Sequence, residues 1–375
     1  MNIALIRSRY DPYGGAERFV QNALAALGAG GAKLTIVTRH WPQAAAAGST
    51  VETLIVDPFF LGSLWRDAGF ARAACAALGK RRFDLVQSHE RLDCCDIYRA
   101  GDGVHAEWLA QRHRALGAWR QLGVRLNPHH RYLLAAERRL FSSPRLKAVI
   151  CNSRMVRDEI ARHFGTPQDK LRVIHNSVDS SVFHSGLRTE HRAAVRARLG
   201  IPADAPVFLF VGSGFERKGL QVFLHALAKV AGYGIVAGKD KRLASYRALA
   251  ASLGIAARVH FLGGVGDVRP SYGAADVFVL PTLYDPLPNA CLEAMACGLP
   301  VITSEKCGAA EFIQSGEGGF VCDALDIASF ADAMQACAAR ARTMGEAARA
   351  GVAALTPQRM AQEYVALYRG LLAVE

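Results

Sequence analysis

Short apolar runs alternate along the chain with longer stretches of helical spacing. Ile3–Ile6, Leu34–Val37, Leu54–Val56, Leu85–Val86 and Ala148–Ile150 read as strands, and Ala16–Leu27 and Leu61–Leu78 between them as helices. Leu171–Ile174 adds a strand before a polar, turn-rich stretch, His175 to Asp179, and a polar helix, Glu190–Leu199. The pattern then restarts. Val207–Val211, Gly234–Val236, Val259–Leu262, Val277–Leu280 and Pro300–Thr303 read as strands. Leu220–Val230, Leu243–Leu253, Ala290–Cys297, Ile327–Arg342 and an amphipathic last segment, Pro357–Leu372, read as helices. Strand–helix–strand alternation implies parallel sheets covered on both faces, because a parallel crossover needs a helix. Two such series imply two doubly wound domains, expected at residues 1–178 and 179–356, with 357–375 a helix packing back on the first. Ligands of such sheets bind beyond the carboxyl ends of the strands, and here also in the cleft between domains.

Composition narrows the class. Of 375 residues, 51% are hydrophobic and 21% charged, which suits a globular chain with ample core and excludes a disordered one. No apolar run is long enough for a transmembrane helix, and the start lacks a charged segment followed by a long apolar one, so no signal peptide is read. Nine cysteines without C-x-x-C spacing read as buried thiols of a reducing compartment. The net charge is +12. Through position 180 there are 26 basic and 16 acidic residues, and Arg112 to Lys147 holds nine basic residues against one acid, Glu137. Such a stretch is either a solvated face or a surface for a polyanion: an anionic membrane, a phosphorylated substrate or nucleic acid. No nucleic-acid-binding motif accompanies it.

Three segments carry candidate chemistry. Gly14-Gly15, ahead of a helix start, reads either as a tight turn or as a place where backbone approaches an anion. Val211-Gly212-Ser213-Gly214-Phe215-Glu216-Arg217-Lys218-Gly219 runs from a strand through a glycine loop to a basic pair; it is a solvated loop or a diphosphate clamp, with Arg217 as a fork and Lys218 as a point charge. The richest segment runs from Pro281 to Pro300. A three-proline loop leads into a helix starting at Asn289–Ala290, with Asp285 on the loop and Glu293 on the helix. Glu293 stands among Leu292, Ala294 and Met295, where a carboxylate needs hydrogen-bond donors, and sugar hydroxyls are such donors.

These segments, in this order and over nearly the whole chain, resemble the retaining glycosyltransferases of family 4. The similarity rests on Gly14-Gly15, on Asn176-Ser177-Val178-Asp179, on Arg217-Lys218-Gly219, and on Asp285 spaced to Glu293 with Glu293-Ala294-Met295-Ala296-Cys297-Gly298-Leu299-Pro300-Val301. The resemblance implies the GT-B fold, two Rossmann-like domains facing each other across a cleft. It also implies a nucleotide-sugar donor, a UDP-sugar on this reading, held mainly by the second domain. Gly14 and Gly15 are then donor-side, Arg217 and Lys218 bind the diphosphate, Glu293 the ribose, and Asp285 with the loop through Asn289 the transferred sugar. Ser213 stands where many members carry a first phosphate-binding arginine, and Asp285 replaces the usual glutamate. Tyr98-Arg99-Ala100-Gly101-Asp102-Gly103 falls where many members carry a histidine; the surroundings most resemble the lipopolysaccharide-core glucosyltransferase I branch, which also has aspartate there. Asp102 would then work at the reacting centre, with His105 and His89 as alternatives and a plain turn residue as the other reading.

The activity so implied is retaining transfer of a sugar, glucose by this resemblance, to a lipopolysaccharide-core or related glycolipid acceptor by front-face attack. No cofactor and no metal ligand is expected, since no D-x-D ends a strand. The alternatives are a sugar-nucleotide epimerase of the same fold, a transferase for capsule or exopolysaccharide, and a non-enzymatic polyanion binder. A basic first half with Trp108, Trp119 and Tyr132 near its centre predicts peripheral attachment to the inner, cytoplasmic face of a bacterial membrane.

Overall fold

A computed structural model describes residues 2–8, 33–40 and 51–373. The chain divides into two compact units, Met1–Asn176 with Pro357–Glu375, and Ser177–Thr356.

The first unit contains a seven-stranded sheet: β1 (Asn2–Ile6), β2 (Lys33–Thr38), β3 (Val51–Ile55), β4 (Leu85–Ser88), β5 (Ile97–Arg99), β6 (Ala148–Cys151) and β7 (Leu171–Val173). Every pairing is parallel, in the order β3-β2-β1-β4-β5-β6-β7. The strands are apolar on both faces, and side-chain alternation divides them into two cores. Ala4, Ile6, Val37, Val86, Tyr98 and Val149 pack with Phe70 and Ala74 of helix Gly62–Leu78 and Val156 and Ile160 of helix Arg154–Phe164. Ile3, Leu5, Ile36, Leu85, Ile97 and Ile150 point the other way and meet Met360, Tyr364 and Tyr368 of the last helix, Pro357–Leu372. Period-two alternation with both sets buried is the signature of a parallel sheet between helical layers.

Polar ties hold that last helix. The Tyr368 hydroxyl donates to Gln87 Oε1 at 2.7 Å, and Arg99 Nε donates to the Tyr364 hydroxyl at 3.2 Å. Arg99 Nη2 also donates to Asn176 Oδ1 at 2.7 Å. Arg99 therefore joins β5 to both places where the chain leaves and re-enters the unit.

The second unit is a six-stranded parallel sheet of β8 (Val207–Val211), β9 (Tyr233–Ala237), β10 (Val259–Gly263), β11 (Val277–Leu280), β12 (Val301–Ser304) and β13 (Gly319–Cys322), in the order β10-β9-β8-β11-β12-β13. One continuous core fills it, from Phe208 and Phe210 through Phe223, Phe278 and Leu292 to Phe330 and Met334. In both sheets the winding direction reverses beside the first strand of the unit, between β1 and β4 and between β8 and β11. Loops leaving adjacent strands part at such a point and leave a crevice at the carboxyl edge.

The cysteine reading needs one correction. Seven cysteines are buried free thiols, but Cys75 on helix Gly62–Leu78 and Cys94 in the β4–β5 loop are joined as a disulfide. Nineteen residues separate them in sequence, and the packing of that helix against the β4–β5 loop brings the two sulfurs together. The helical segment expected over Ala16–Leu27 lies outside the described residues.

Candidate active site

In the second unit the crevice between β8 and β11 is built by two loops that lock onto each other. The chain turns after β8 through Gly212 and Gly214 into the short helix Phe215–Lys218, which Asp240 caps by accepting from the Phe215 amide at 2.7 Å. Gly219 follows at φ 78°, and a Cβ there would overlap the Pro281 carbonyl oxygen, so only glycine lets the two loops touch. The Arg217 carbonyl accepts from the Thr282 hydroxyl at 2.9 Å and from the Leu283 amide at 2.8 Å.

This locking sets the charged groups. Lys218 Nζ donates to Asp285 Oδ2, and Arg217 Nη1 donates to the same oxygen at 3.1 Å and to the Tyr284 carbonyl at 3.2 Å. Lys218 and Asp285 are buried, whereas the Arg217 guanidinium reaches solvent. Burial alone would raise the Asp285 carboxyl pKa, but Lys218 and Arg217 outweigh it and hold the carboxyl below the ordinary aspartate range. Two cations on one carboxylate leave positive charge over, a local field that suits an anion. The helix Asn289–Ala296 starts beyond the proline loop. Its Glu293 is buried and accepts from the Tyr272 hydroxyl at 2.9 Å. Burial, and then Glu293, push the Tyr272 phenol well above its usual pKa, which keeps it a donor. Ser213 does not face the pair through its hydroxyl, which accepts from the Lys239 amide at 3.0 Å.

In the first unit, β5 ends in the turn Ala100–Gly103, closed by the Gly103 amide donating to the Ala100 carbonyl at 3.2 Å. Asp102 sits on this turn with its side chain 66% exposed; the Arg91 guanidinium lies 4.0 Å away. The two histidine alternatives each contact a neighbour inside the unit. His89 is buried with Nε2 3.2 Å from Gln87 Nε2, and burial, followed by Arg99 and Arg7, lowers its pKa far below the usual value. His105 opens helix His105–Arg114 with Nε2 3.1 Å from His130 Nδ1; burial, then Arg91, lowers its pKa to about 3.

The family model described as Glycosyltransferase Family 4 matches residues 13–182, and the model Glycosyl transferases group 1 matches residues 205–340. The chain belongs to the family 4 glycosyltransferases. Among curated relatives, the lipopolysaccharide core biosynthesis glycosyltransferase LpsE of Rhizobium meliloti is 38% identical over 144 residues, a match spanning 38% of this chain and 42% of LpsE. The lipopolysaccharide glucosyltransferase WaaG of Escherichia coli is 26% identical over 328 residues, spanning 86% of this chain and 85% of WaaG. The crystal structure of WaaG superposes with a TM-score of 0.81 at 24% identity, covering 96% of this chain and 98% of WaaG. HepE of Anabaena, in a crystal structure with UDP-glucose, gives a TM-score of 0.74 at 18% identity over 99% of this chain and the whole of HepE. The fold expected from the sequence, two doubly wound parallel α/β units of the GT-B class, is the fold observed.

For this glycosyltransferase, four residues singled out in the second half fall on one crevice edge: Arg217, Lys218, Asp285 and, on the adjoining helix, Glu293. Asn289 begins that helix. Gly14 and Gly15 lie outside the described residues. Sequence reasoning passed over Tyr272, which supplies the donor that Glu293 requires, and the pair Arg91 and Glu137 under the Asp102 turn. Tyr272 sits in the six-residue helix Arg269–Ala274, far from Glu293 in sequence, and no local spacing connects them.

Proposed function

We propose that this glycosyltransferase moves glucose from UDP-glucose, with retention, to a lipopolysaccharide-core acceptor at an anionic membrane face. The observation that carries the reading is the convergence of Lys218 and Arg217 on the buried Asp285 at the crevice between β8 and β11. The WaaG and LpsE relatives support the acceptor class, and the UDP-glucose complex of HepE the donor class.

On this reading the second unit holds the donor. Arg217 and Lys218 meet the diphosphate and offset the negative charge that grows as the bond to the anomeric carbon breaks. Glu293, oriented by Tyr272, accepts from the ribose hydroxyls, and Asp285 and the loop through Asn289 receive the hexose. The departing phosphate oxygen takes the acceptor's proton on the face where the new bond forms. Asp102, on the first unit, is the carboxylate assigned to the reacting centre. The cationic pair carries the charge stabilisation, so turnover should survive EDTA.

Peripheral attachment rests on helix Ala118–Leu126. Trp119, Leu122 and Leu126 form an exposed stripe at helical spacing, with Trp119 89% exposed, and Arg120 and Arg125 are exposed beside it. Of the other aromatics expected there, Trp108 and Tyr132 are partly buried, and Arg112 lies over the Trp108 ring.

The deciding experiment incubates the protein with a panel of nucleotide sugars and measures release of the nucleoside diphosphate with and without a rough-mutant lipopolysaccharide extract. Acceptor-dependent release of UDP from UDP-glucose supports the reading. Formation of free epimer without acceptor would replace it by the epimerase.

A further inference from the structure

Arg91 lies in the β4–β5 loop with its side chain 14% exposed, and its guanidinium is spread over three groups. Nε donates to Glu137 Oε1 at 2.9 Å, Nη2 to the Gly103 carbonyl at 3.4 Å, and Nη1 stands 4.0 Å from Asp102 Oδ2. Glu137, on helix Pro128–Phe141, is 1% exposed, and the same Oε1 accepts from the His105 amide at 2.7 Å. Arg91 and Glu137 thus hold the segment between β5 and helix His105–Arg114 at both ends: Asp102 and Gly103 through the arginine, His105 through the glutamate. The turn's own backbone bonds are the Gly101 amide to the Arg99 carbonyl at 2.9 Å and the Gly103 amide to the Ala100 carbonyl at 3.2 Å, with Gly103 at φ 68°. Burial works against the charge on Arg91, but Tyr98, Glu137 and Asp102 raise its pKa above the ordinary arginine value.

A buried ion pair is a poor way to gain stability, since apolar side chains of like volume serve as well or better. What it supplies here is geometry. Only a planar fork reaches a carboxylate, a carbonyl and a second carboxylate at once. The Asp102 carboxylate is faced at 4.0 Å and stays open to solvent, so the brace orients it without consuming its acceptor capacity. We infer that Arg91 is a positioning residue for the transfer step: braced by Glu137, it fixes the turn that presents Asp102 and acts on turnover through that carboxylate. The inference rests on the transferase reading of Asp102 proposed above.

The test is a double-mutant cycle in the full chain with Arg91→Lys, Asp102→Ala and the two combined, reading kcat, UDP affinity by calorimetry, and amide exchange over residues 100–105. Arg91→Lys should lower kcat about tenfold, leave UDP affinity within about twofold, and speed exchange in the turn, and the double variant should be no slower than Asp102→Ala alone. Should Arg91→Lys fail to fold, Arg91→Met with Glu137→Leu removes both charges and enters the same cycle. Losses that multiply in the double variant, or unchanged exchange and kcat in Arg91→Lys, overturn the inference while the transferase reading stands. Full turnover in Asp102→Ala also overturns it. If no sugar nucleotide is consumed by the wild type, the functional reading fails and the inference with it.

Discussion

Lys218 and Glu293 are both buried acids or bases of the same crevice, yet their loss should be felt differently. Lys218→Ala leaves Asp285 buried beside Arg217 alone, and breaking a buried pair costs roughly 3 kcal/mol. It should therefore lower both the urea midpoint and donor turnover, the latter at least tenfold. Glu293→Gln still accepts from Tyr272, so the fold should hold while turnover falls about tenfold for want of a charged acceptor. Equal stability of the two variants would contradict the burial argument. Asp285 also fixes a pH dependence. Its folded pKa is depressed, so its contribution is complete above the unfolded value near 4 and is lost as pH falls through the lower folded value. Urea midpoints between about pH 5 and 2 should fall steeply for the wild type and less steeply for Asp285→Asn.

At the scale of elements, helix Ala118–Leu126 has a partner in segment Phe59–Trp65, where Phe59, Leu61 and Trp65 are exposed. His129 Nε2 lies 2.8 Å from Asp67 Oδ2, which brings the start of helix Gly62–Leu78 beside the start of helix Pro128–Phe141 and hence beside the end of the Trp119 helix. Vesicles containing anionic lipid should co-sediment the protein and release it as salt rises. Trp119→Ala with Arg120→Gln and Arg125→Gln should cut the bound fraction several-fold, since each basic residue contributes about 1 kcal/mol at such a surface. Binding to neutral vesicles of equal strength would defeat the proposal. The elements also show what the sequence could disclose. Strands such as Val207–Val211 and Val277–Leu280 are unbroken apolar runs, and their period stands out. Strand β5 has three residues, one of them Arg99, and helices His105–Arg114 and Arg154–Phe164 are mostly polar, so hydrophobic periodicity passed over all three. The Asp285-to-Glu293 spacing was legible because both residues sit on one loop and its helix. The Arg91–Glu137 brace was not, because 46 residues separate its halves.

Across the whole molecule, the two sheets share one winding order, yet the units differ in continuity. The second is a single stretch, Ser177–Thr356, and the first needs both ends of the chain. Removing residues 357–375 would take Met360, Tyr364 and Tyr368 away from Ile3, Leu5, Ile36 and Ile150 and strip Arg99 of the Tyr364 hydroxyl. Such a truncation should lose the first unit's cooperative unfolding while the second keeps its own, which calorimetry would register as loss of part of the enthalpy rather than a uniform shift.

The tie of the last helix to the first sheet also orders events on the ribosome. Strands β1 to β7 emerge early, but one face of their sheet lacks the packing of Met360, Tyr364 and Tyr368 until the last helix has been made. At roughly 5–20 residues per second, the intervening stretch takes on the order of ten seconds or longer, time enough for the second unit to fold while the first waits for its last helix. The nascent chain thus completes its domains in the reverse of the order in which it writes them, and a holdase that shields unfinished domains would meet this protein at its amino-terminal half.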